Sequence, residues 1–475
     1  MTNSSAKLAA KYVILFAILG LFFFVIPPID PLTHKGMQMI GLFLAMVFGW
    51  TFIDTVVPSI VGIVALSFVE GMTVQTAITA SVGQMQVMFL LMTFILVEMV
   101  NKESIAKLIA GNILSIKFLQ GKPVLMSVAI LVVATILGII NVFMSVLLTW
   151  AIVYEICKEF NIKPFEKYAV SMIVGIALCS SMGLVTFPFQ DSGLILTGMF
   201  AKLFGPLNYF QYILVVIPLQ LSLIVIWMLG SKYLLRVDFT QLMEVDKSDM
   251  AMRMTSRQKA AVVIILLFVG LLLAQGSLPK TMVLTQVLSQ MNAFGIASVC
   301  VILGCVWHVE GKPMINFVQY AKDGVLWNIF FLSGVVMAFA SLLTASDTGV
   351  TAFVIKYATG ALSGTSPLMF MIILLLITFV LTNFINNIVA GSVLLSLLVP
   401  LSQVVSFNVE AMAVLVIVIS HFALLTPAAS GTAAMLYGNK DWVDMKSIYK
   451  FAFPLMILGF LFVASAGIAL ACIVF

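Results

Sequence analysis

The sequence predicts an all-α polytopic membrane protein with about eleven transmembrane helices and two re-entrant hairpins. Three observations carry that prediction. Of 475 residues, 62% are hydrophobic and 9% charged, and the mean hydropathy is +1.19, far from the composition of a water-soluble domain. Apolar segments long enough to cross a bilayer recur along the chain between short polar loops, which favours helices over barrel strands. The lysines and arginines, placed on the resulting topology, gather on one side.

The first apolar segment, from Lys11 to Pro27, has no small-residue cleavage site and ends in Pro27-Pro28, so it reads as a retained helix rather than a leader. Continuous spans follow at 36–50, 55–70, 84–100, 209–230, 258–274, 293–308, 324–343 and 446–471. The apolar stretches between them are less regular. Taking 134–158 and 378–404 as hairpins that enter and leave on one side, and 168–200 and 411–437 as crossings with a break, completes the set of crossings. With the N-terminus in the cytoplasm, every one of the 24 lysines and arginines except Lys35, Lys202, Lys280 and Lys356 lies on the cytoplasmic side. One miscounted crossing would scramble that partition. The C-terminus is then extracytoplasmic, and the expected location is the cell (inner or plasma) membrane. The net charge of +5 follows from the same residues, which serve as a topology signal and a contact for lipid headgroups. They do not gather into one footprint, so no nucleic-acid partner is expected. The five cysteines are scattered through apolar sequence without metal-ligand spacing and read as buried reduced thiols.

The longest polar run, Lys232 to Lys259, mixes both signs and divides the chain almost in half. It defines an N-terminal helix (1–35), a first repeat (36–231), a cytoplasmic linker (232–257) and a second repeat (258–475). Four landmarks recur in the same order at an offset of about 240 residues: "FLLMTF" at Phe89 with "FFLSGV" at Phe330, Asn141 with Asn387, Pro188 with Pro427, and Pro218 with Pro454. Each repeat holds an odd number of crossings, so the second copy is inverted relative to the first. Inverted repeats are an architecture of secondary transporters.

The tips and breaks are the candidate site. Irregular backbone at membrane depth survives only where protein or a water-filled cavity surrounds it. In "TNFINNIVAG", Asn383, Asn386 and Asn387 are placed to satisfy a hairpin turn and to offer amide N–H groups to a ligand, and Gly391 to let backbone approach closely. The bland reading is that such asparagines only hold helices together. The counterpart tip, in "ATILGIINVFMSVLLTW", holds Asn141 and Ser145 and is less polar. Each repeat also interrupts a later crossing. "VTFPFQDSG" carries Thr186 and Pro188, and "LLTPAASGT" carries Thr426, Pro427, Ser430, Gly431 and Thr432. Proline removes a helical hydrogen bond and clashes with the preceding turn. Carbonyls freed there suit Na⁺, while half-helix N-termini direct positive dipole ends at an anion.

With those residues in view, the chain resembles the divalent-anion/sodium symporter family, part of a superfamily of elevator-type carriers, over nearly its whole length. "VLTNFINNIVAGSVLLSLLVPL" is similar to the family's second Ser-Asn-Thr hairpin tip: Asn387 falls on the motif's Asn, while Asn386 replaces Ser and Ile388 replaces Thr. "WNIFFLSGVVMAFASLLTASDTG" resembles the helix before that hairpin, and the Thr186-to-Pro188 and Thr426-Pro427 segments resemble its broken crossings. The first hairpin departs further, with Asn141 the only amide near its tip. The resemblance implies that the tips bind substrate carboxylates and help build sodium sites, and it implies a homodimer joined by static helices. Substrate contacts are therefore expected from Asn387, Asn386, Asn383, Asn141, Ser145, Thr186, Pro188, Thr426 and Pro427. Sodium contacts are expected from Asn387, Asn141, Gly391, Thr186, Asp191, Thr426, Ser430, Gly431 and Thr432.

Two ionisable residues remain. Asp191 is a candidate cation ligand or proton carrier, or a solvated group near the outer end of the break. His421 is read as a neutral, hydrogen-bonded packing residue. No Walker A pattern, metalloprotease His/Glu pair or Gly-x-Ser-x-Gly elbow appears, so no enzyme and no organic cofactor is expected. The expected function is sodium-coupled symport of a small anion, a di- or other carboxylate, by an elevator mechanism, with sodium ions and membrane lipid as further partners. A sodium/proton antiporter of the same superfamily and an anion channel are the alternatives.

Overall fold

The computed structural model describes residues 3–188, 191–240, 252–278, 281–343, 345–362, 364–427 and 429–475. In chain order the helices of the first half are α1 (Asn3–Gly20), α2 (His34–Phe52), α3 (Val56–Leu66), α4 (Val74–Ala80), α5 (Met85–Lys102), α6 (Ile105–Leu114), α7 (Pro123–Ile140), α8 (Val142–Glu159), α9 (Lys167–Thr186), α10 (Asp191–Phe204) and α11 (Tyr209–Leu229). The second half continues with α12 (Ser256–Ser277), α13 (Val283–Val306), α14 (Phe317–Gly324), α15 (Trp327–Leu342), α16 (Val350–Leu362), α17 (Pro367–Phe384) and α18 (Asn387–Ser402). It ends with α19 (Val409–Ser420), α20 (Gly431–Gly438), α21 (Met445–Phe462) and α22 (Ile468–Val474). The one sheet among the described residues is a two-stranded ribbon, β1 (His308–Val309) against β2 (Lys312–Pro313).

Among the described residues, ten helical segments are long and apolar enough to cross a membrane, and eleven if α14 and the first part of α15, bent by 78°, form one span. The chain is an all-α polytopic membrane protein. Several elements differ in extent from the sequence reading. The segment expected at 55–70 is helical only over the 11 residues of α3. The span expected at 293–308 is the second half of α13, whose backbone breaks helical geometry at Asn292 (φ 57°, ψ 178°). A full turn pattern before Asn292 was hidden by Thr285, Gln286, Ser289 and Gln290.

The two helix–break–helix units are longer than 134–158 and 378–404. α7 and α8 are joined through Asn141 alone, and α17 and α18 through Ile385 and Asn386, and within each unit the two helices pack on one another. Local chemistry explains the ends. Pro123 and Pro367 occupy first helical turns, where the missing N–H costs nothing. Asn141 Oδ1 accepts from Met144 N at 3.0 Å and Asn386 Oδ1 from Ile388 N at 2.9 Å, so each joint supplies the N-cap of the helix that follows. α7 lies close on α9 because Gly138 lacks a side chain: a Cβ there would stand 2.3 Å from the Ser180 carbonyl oxygen.

α9 and α19 form the centre. Every residue from Tyr168 to Thr186 and from Ala411 to Ser420 is buried, so the backbone beyond their C-terminal ends is shielded by protein rather than lipid. Around them pack α7 and α8, α10, α17 and α18. Ion pairs join residues that the topology assigns to the same side. Arg257 Nη2 stands 2.7 Å from Glu103 and Lys102 2.8 Å from Asp323, whereas Lys35 stands 2.6 Å from Asp347 and Lys356 3.0 Å from Asp30. Lys247 and Lys280, also used in the partition, lie outside the described residues.

Candidate functional site

A cavity of about 200 Å³ opens where the breaks and joints meet. The α7–α8 joint lines it with Val142 and Phe143, and the α17–α18 joint with Asn386, Asn387 and Ile388. The α9–α10 break adds Ser181, Leu184 and Ser192, and the α19–α20 break adds Ser430, Gly431 and Thr432. From the remaining helices come Thr55, Leu326, Asn328, Ile329 and Leu332. No charged side chain lines the cavity among the described residues.

Most of these residues sit in the first turn of a helix. Val142 and Phe143 begin α8, Ser192 follows the first residue of α10, Asn328 and Ile329 lie in the first turn of α15, Asn387 and Ile388 begin α18, Gly431 and Thr432 begin α20, and Thr55 precedes α3, whose first two N–H groups bond to Asp54 Oδ1 at 2.7 and 2.9 Å. The first N–H groups of a helix have no intrahelical acceptor and carry the positive end of its dipole. Some are used locally: Asn387 N donates to the Ala429 carbonyl at 2.9 Å, and Ala433 N to Ser430 Oγ at 3.1 Å. Those of Val142, Phe143, Asn328, Ile329, Gly431 and Thr432 have no partner among the described residues.

The three asparagines of the second joint do different things. Asn387 is 6% exposed, faces the cavity, and its side-chain amide bonds to nothing among the described residues. Asn386 lines the cavity and caps α18 with its oxygen, and its amide nitrogen has no partner among the described residues. Asn383 does not line the cavity. Its Nδ2 donates to Phe379 O at 2.8 Å and Phe422 O at 2.7 Å, and its Oδ1 accepts from Leu424 N at 3.1 Å and Leu425 N at 2.9 Å. All four hydrogen-bonding positions of that amide are filled, so the expectation that Asn383 offers N–H groups to a ligand gives way to a bracing role. Thr426 Oγ1 completes the brace by donating to the Asn383 carbonyl at 2.7 Å, and Thr382 Oγ1 donates to the Ser420 carbonyl.

The first joint is consumed by its own structure. Asn141 is a cap and is absent from the cavity lining. Ser145 is fully buried, donating to Ala134 O at 2.7 Å and meeting Ser180 Oγ at 2.8 Å. What this joint presents is Phe143, whose ring edge would stand 2.8 Å from a Cβ at Gly431, so only glycine there lets the ring and α20 close together.

The Thr-Pro pairs also stand back from the cavity. Thr186 Oγ1 donates to its own helix at Met182 O, 2.9 Å away, and Pro188 is buried beside Gly193. Pro427 is exposed. Gly391 packs under Leu196 of α10, 2.7 Å from where its Cβ would be, and does not reach the cavity. Of Asp191, only the backbone, as the first residue of α10, is described. Ser430, Gly431 and Thr432 do line the cavity, with Ser430 donating to Ala423 O at 2.7 Å and meeting Thr432 Oγ1 at 2.9 Å.

His421 is fully buried and bonded at both ring nitrogens, to Ile417 O at 3.0 Å through Nδ1 and to Ser192 Oγ at 2.8 Å through Nε2. This matches the packing-residue expectation, with the addition that its partner is a cavity residue. Sequence reasoning missed Ser181, Ser192, Asn328 and Thr55. Asn328 had a usable signal, an amide one residue into an apolar helix, whereas the serines are ordinary in helical sequence. No cluster of His, Cys, Asp or Glu with metal-binding geometry occurs among the described residues.

Compared with known protein families, residues 6–475 match the sodium:sulfate symporter transmembrane region. No curated protein matches the chain significantly.

Proposed function

The chain belongs to the sodium:sulfate symporter family, and from that premise we propose that it carries a small anion together with Na⁺, binding both in the cavity between the two hairpin joints. Sodium-coupled anion symport is the general activity this family implies. What supports the assignment to the cavity is the convergence of five helix N-terminal ends, those of α8, α10, α15, α18 and α20, on a space lined by no charged side chain among the described residues. Unpartnered N–H groups and dipole ends favour a negative charge. They do so without a fixed counter-charge that would hold the ligand against release.

The finer reading is a carboxylate, with a dicarboxylate first. A cavity of about 200 Å³ is below the range of drug-sized ligand sites and holds about six water molecules' worth of liquid. That suits a small anion and ions together. Asn387 and Asn386 present planar amides on one side of the cavity, which suits the planar carboxylate of an elongated anion better than a compact tetrahedral one.

The proposed mechanism is alternating access by an elevator motion. α7–α10 and α17–α20 would move as one unit past the other helices, with α7–α8 and α17–α18 as the re-entrant hairpins of two inverted repeats. In its favour, the cavity lining mixes residues of this unit with Thr55, Asn328 and Leu332 of the remainder. The static helices would carry a homodimer contact, and exposed Leu266, Ile302 and Val306 on α12 and α13 offer apolar surface for a second copy or lipid. In this reading the protein lies in the cell membrane with its N-terminus cytoplasmic.

Reconstituted in proteoliposomes, the protein should take up a radiolabelled small carboxylate or sulfate only under an inward Na⁺ gradient. Na⁺-driven pH change with no dependence on any anion would instead establish antiport and overturn this proposal.

A further inference from the structure

Another cavity, of about 230 Å³, shares no lining residue with the first. It is lined by α5 and α6, by Ile139 and Ile140 at the end of α7, and by the face of α12 from Ala261 to Val269. Thr93 is its one polar side chain among the described residues, and that hydroxyl donates to its own helix at Leu90 O, 2.8 Å away. A water molecule needs several polar partners, whereas this lining suits hydrocarbon. Leu266 belongs to the wall and is also 65% exposed, which places the mouth of the cavity on the outer surface of the bundle.

Its position along α12 matches the depth of an acyl chain. At 1.5 Å per residue the wall lies about 8–20 Å beyond Ser256, the first residue of α12, and one leaflet's share of the hydrocarbon core is about 15 Å. At the start of α12, Gln258 Nε2 donates to Glu103 O at 3.0 Å and Arg257 pairs with the Glu103 carboxylate at 2.7 Å, which fastens this helix to the turn between α5 and α6. Arg257 is thereby neutralised. Lys107 on α6 and Lys259 on α12 are exposed and have no ion-pair partner among the described residues. We propose that this cavity is a binding site for an anionic phospholipid, with one acyl chain between α12 and the end of α7 and the headgroup on Lys107 and Lys259. A neutral lipid or a soluble phosphate satisfies only one of the two parts. Because Ile139 and Ile140 immediately precede Asn141, the bound chain packs directly behind the first joint. The proposal rests on the membrane-embedded fold and is independent of which anion and which cation are carried.

The test is native mass spectrometry of the purified full-length protein, delipidated in detergent and titrated with phosphatidylglycerol or with phosphatidylcholine of the same chains. Wild type should hold phosphatidylglycerol at concentrations where phosphatidylcholine is lost. Changing Lys107→Gln and Lys259→Gln together alters only exposed side chains. This variant should bind phosphatidylglycerol about thirty-fold more weakly, the scale of two cations beside an anionic headgroup, and phosphatidylcholine as before. Val262→Phe with Val269→Phe fills the cavity from two half-buried wall positions and should abolish the retained lipid of either kind. A lysine variant that holds phosphatidylglycerol as wild type does overturns the proposal, and this variant decides the matter even where the filled one fails to fold. A filled variant that keeps its lipid overturns it equally. If that variant also separates into single copies, which the same spectra read, the cavity is instead a contact between copies. Glycerol phosphate competing as tightly as phosphatidylglycerol would reduce the site to a surface anion site without a chain.

Discussion

The α7–α8 and α17–α18 joints share a plan and differ in what they leave over. At the first, Asn141 caps α8 away from the cavity lining and Ser145 is tied to Ala134 and Ser180, so the cavity receives only Val142, Phe143 and backbone N–H groups. At the second, one asparagine more than the fold requires is present. Asn383 braces and Asn386 caps, which leaves the Asn387 amide unpartnered at the cavity. In the proposed reading the first joint shapes the site and the second contacts the ligand. An unsatisfied amide at membrane depth is expensive, and its retention is understandable if a ligand completes it.

The comparison breaks most visibly at Asn383. Asn383→Ala orphans the Phe422 carbonyl and the N–H groups of Leu424 and Leu425 in a buried setting, each at about 1–3 kcal/mol. The detergent-solubilised variant should lose several degrees or more of melting temperature, or fail to fold. A variant as stable as wild type would mean that the α19–α20 break is held by something other than this amide.

Much of this division was legible only in part. The apolar spans, the joints and the breaks follow from hydropathy, Asn and Pro, because those residues act on their own backbone: Asn141 and Asn386 cap the helix that begins beside them. The roles of Asn383, Ser181 and Ser192 depend on contacts across the fold. Asn383 meets a segment about forty residues further on, and Ser181 and Ser192 meet His421 in the other half of the chain. Nothing in "TNFINN" says which amide faces inwards, since residues 383 and 387 are one turn apart and share a helical face. The break between α17 and α18 at Ile385 and Asn386 is what turns one towards α19 and the other towards the cavity. Neither Thr186 nor Thr426 lines the cavity: the Thr186 hydroxyl is taken by Met182 O one turn back in its own helix, and that of Thr426 by Asn383 O across the fold.

The next effect in size belongs to Asn387. Its amide has no protein partner among the described residues, so Asn387→Ala should fold with nearly wild-type stability. Its loss should appear in ligand binding as roughly a ten- to hundred-fold weaker apparent affinity, the equivalent of about 1.5–3 kcal/mol for a bond to a charged group. Thermal-shift titration with small carboxylates and sulfate, at fixed saturating Na⁺, reads this directly and identifies the anion. Equal stabilisation of wild type and variant at sub-saturating anion would return Asn387 to a structural role and remove the asymmetry between the joints.

The smallest effect is expected at Asn141, and it sharpens the comparison because the residue occupies the joint of α7 and α8 as Asn386 does that of α17 and α18. Its side-chain oxygen accepts from Met144 N, 3.0 Å away, and it does not line the cavity. Asn141→Ala should therefore cost about 1 kcal/mol of stability, the usual loss of an N-cap, and Asn141→Ser should recover most of it. Anion affinity should change by no more than about two-fold, because Val142 and Phe143 still bring their backbone N–H groups to the cavity once α8 has formed. The contrast fails if Asn141→Ala weakens anion binding as much as Asn387→Ala does and Asn141→Ser leaves that loss in place. A cap restored by serine rebuilds the helix end but cannot replace an amide donor to a ligand, so that pair of results would make Asn141 a contact and the two joints functional equals.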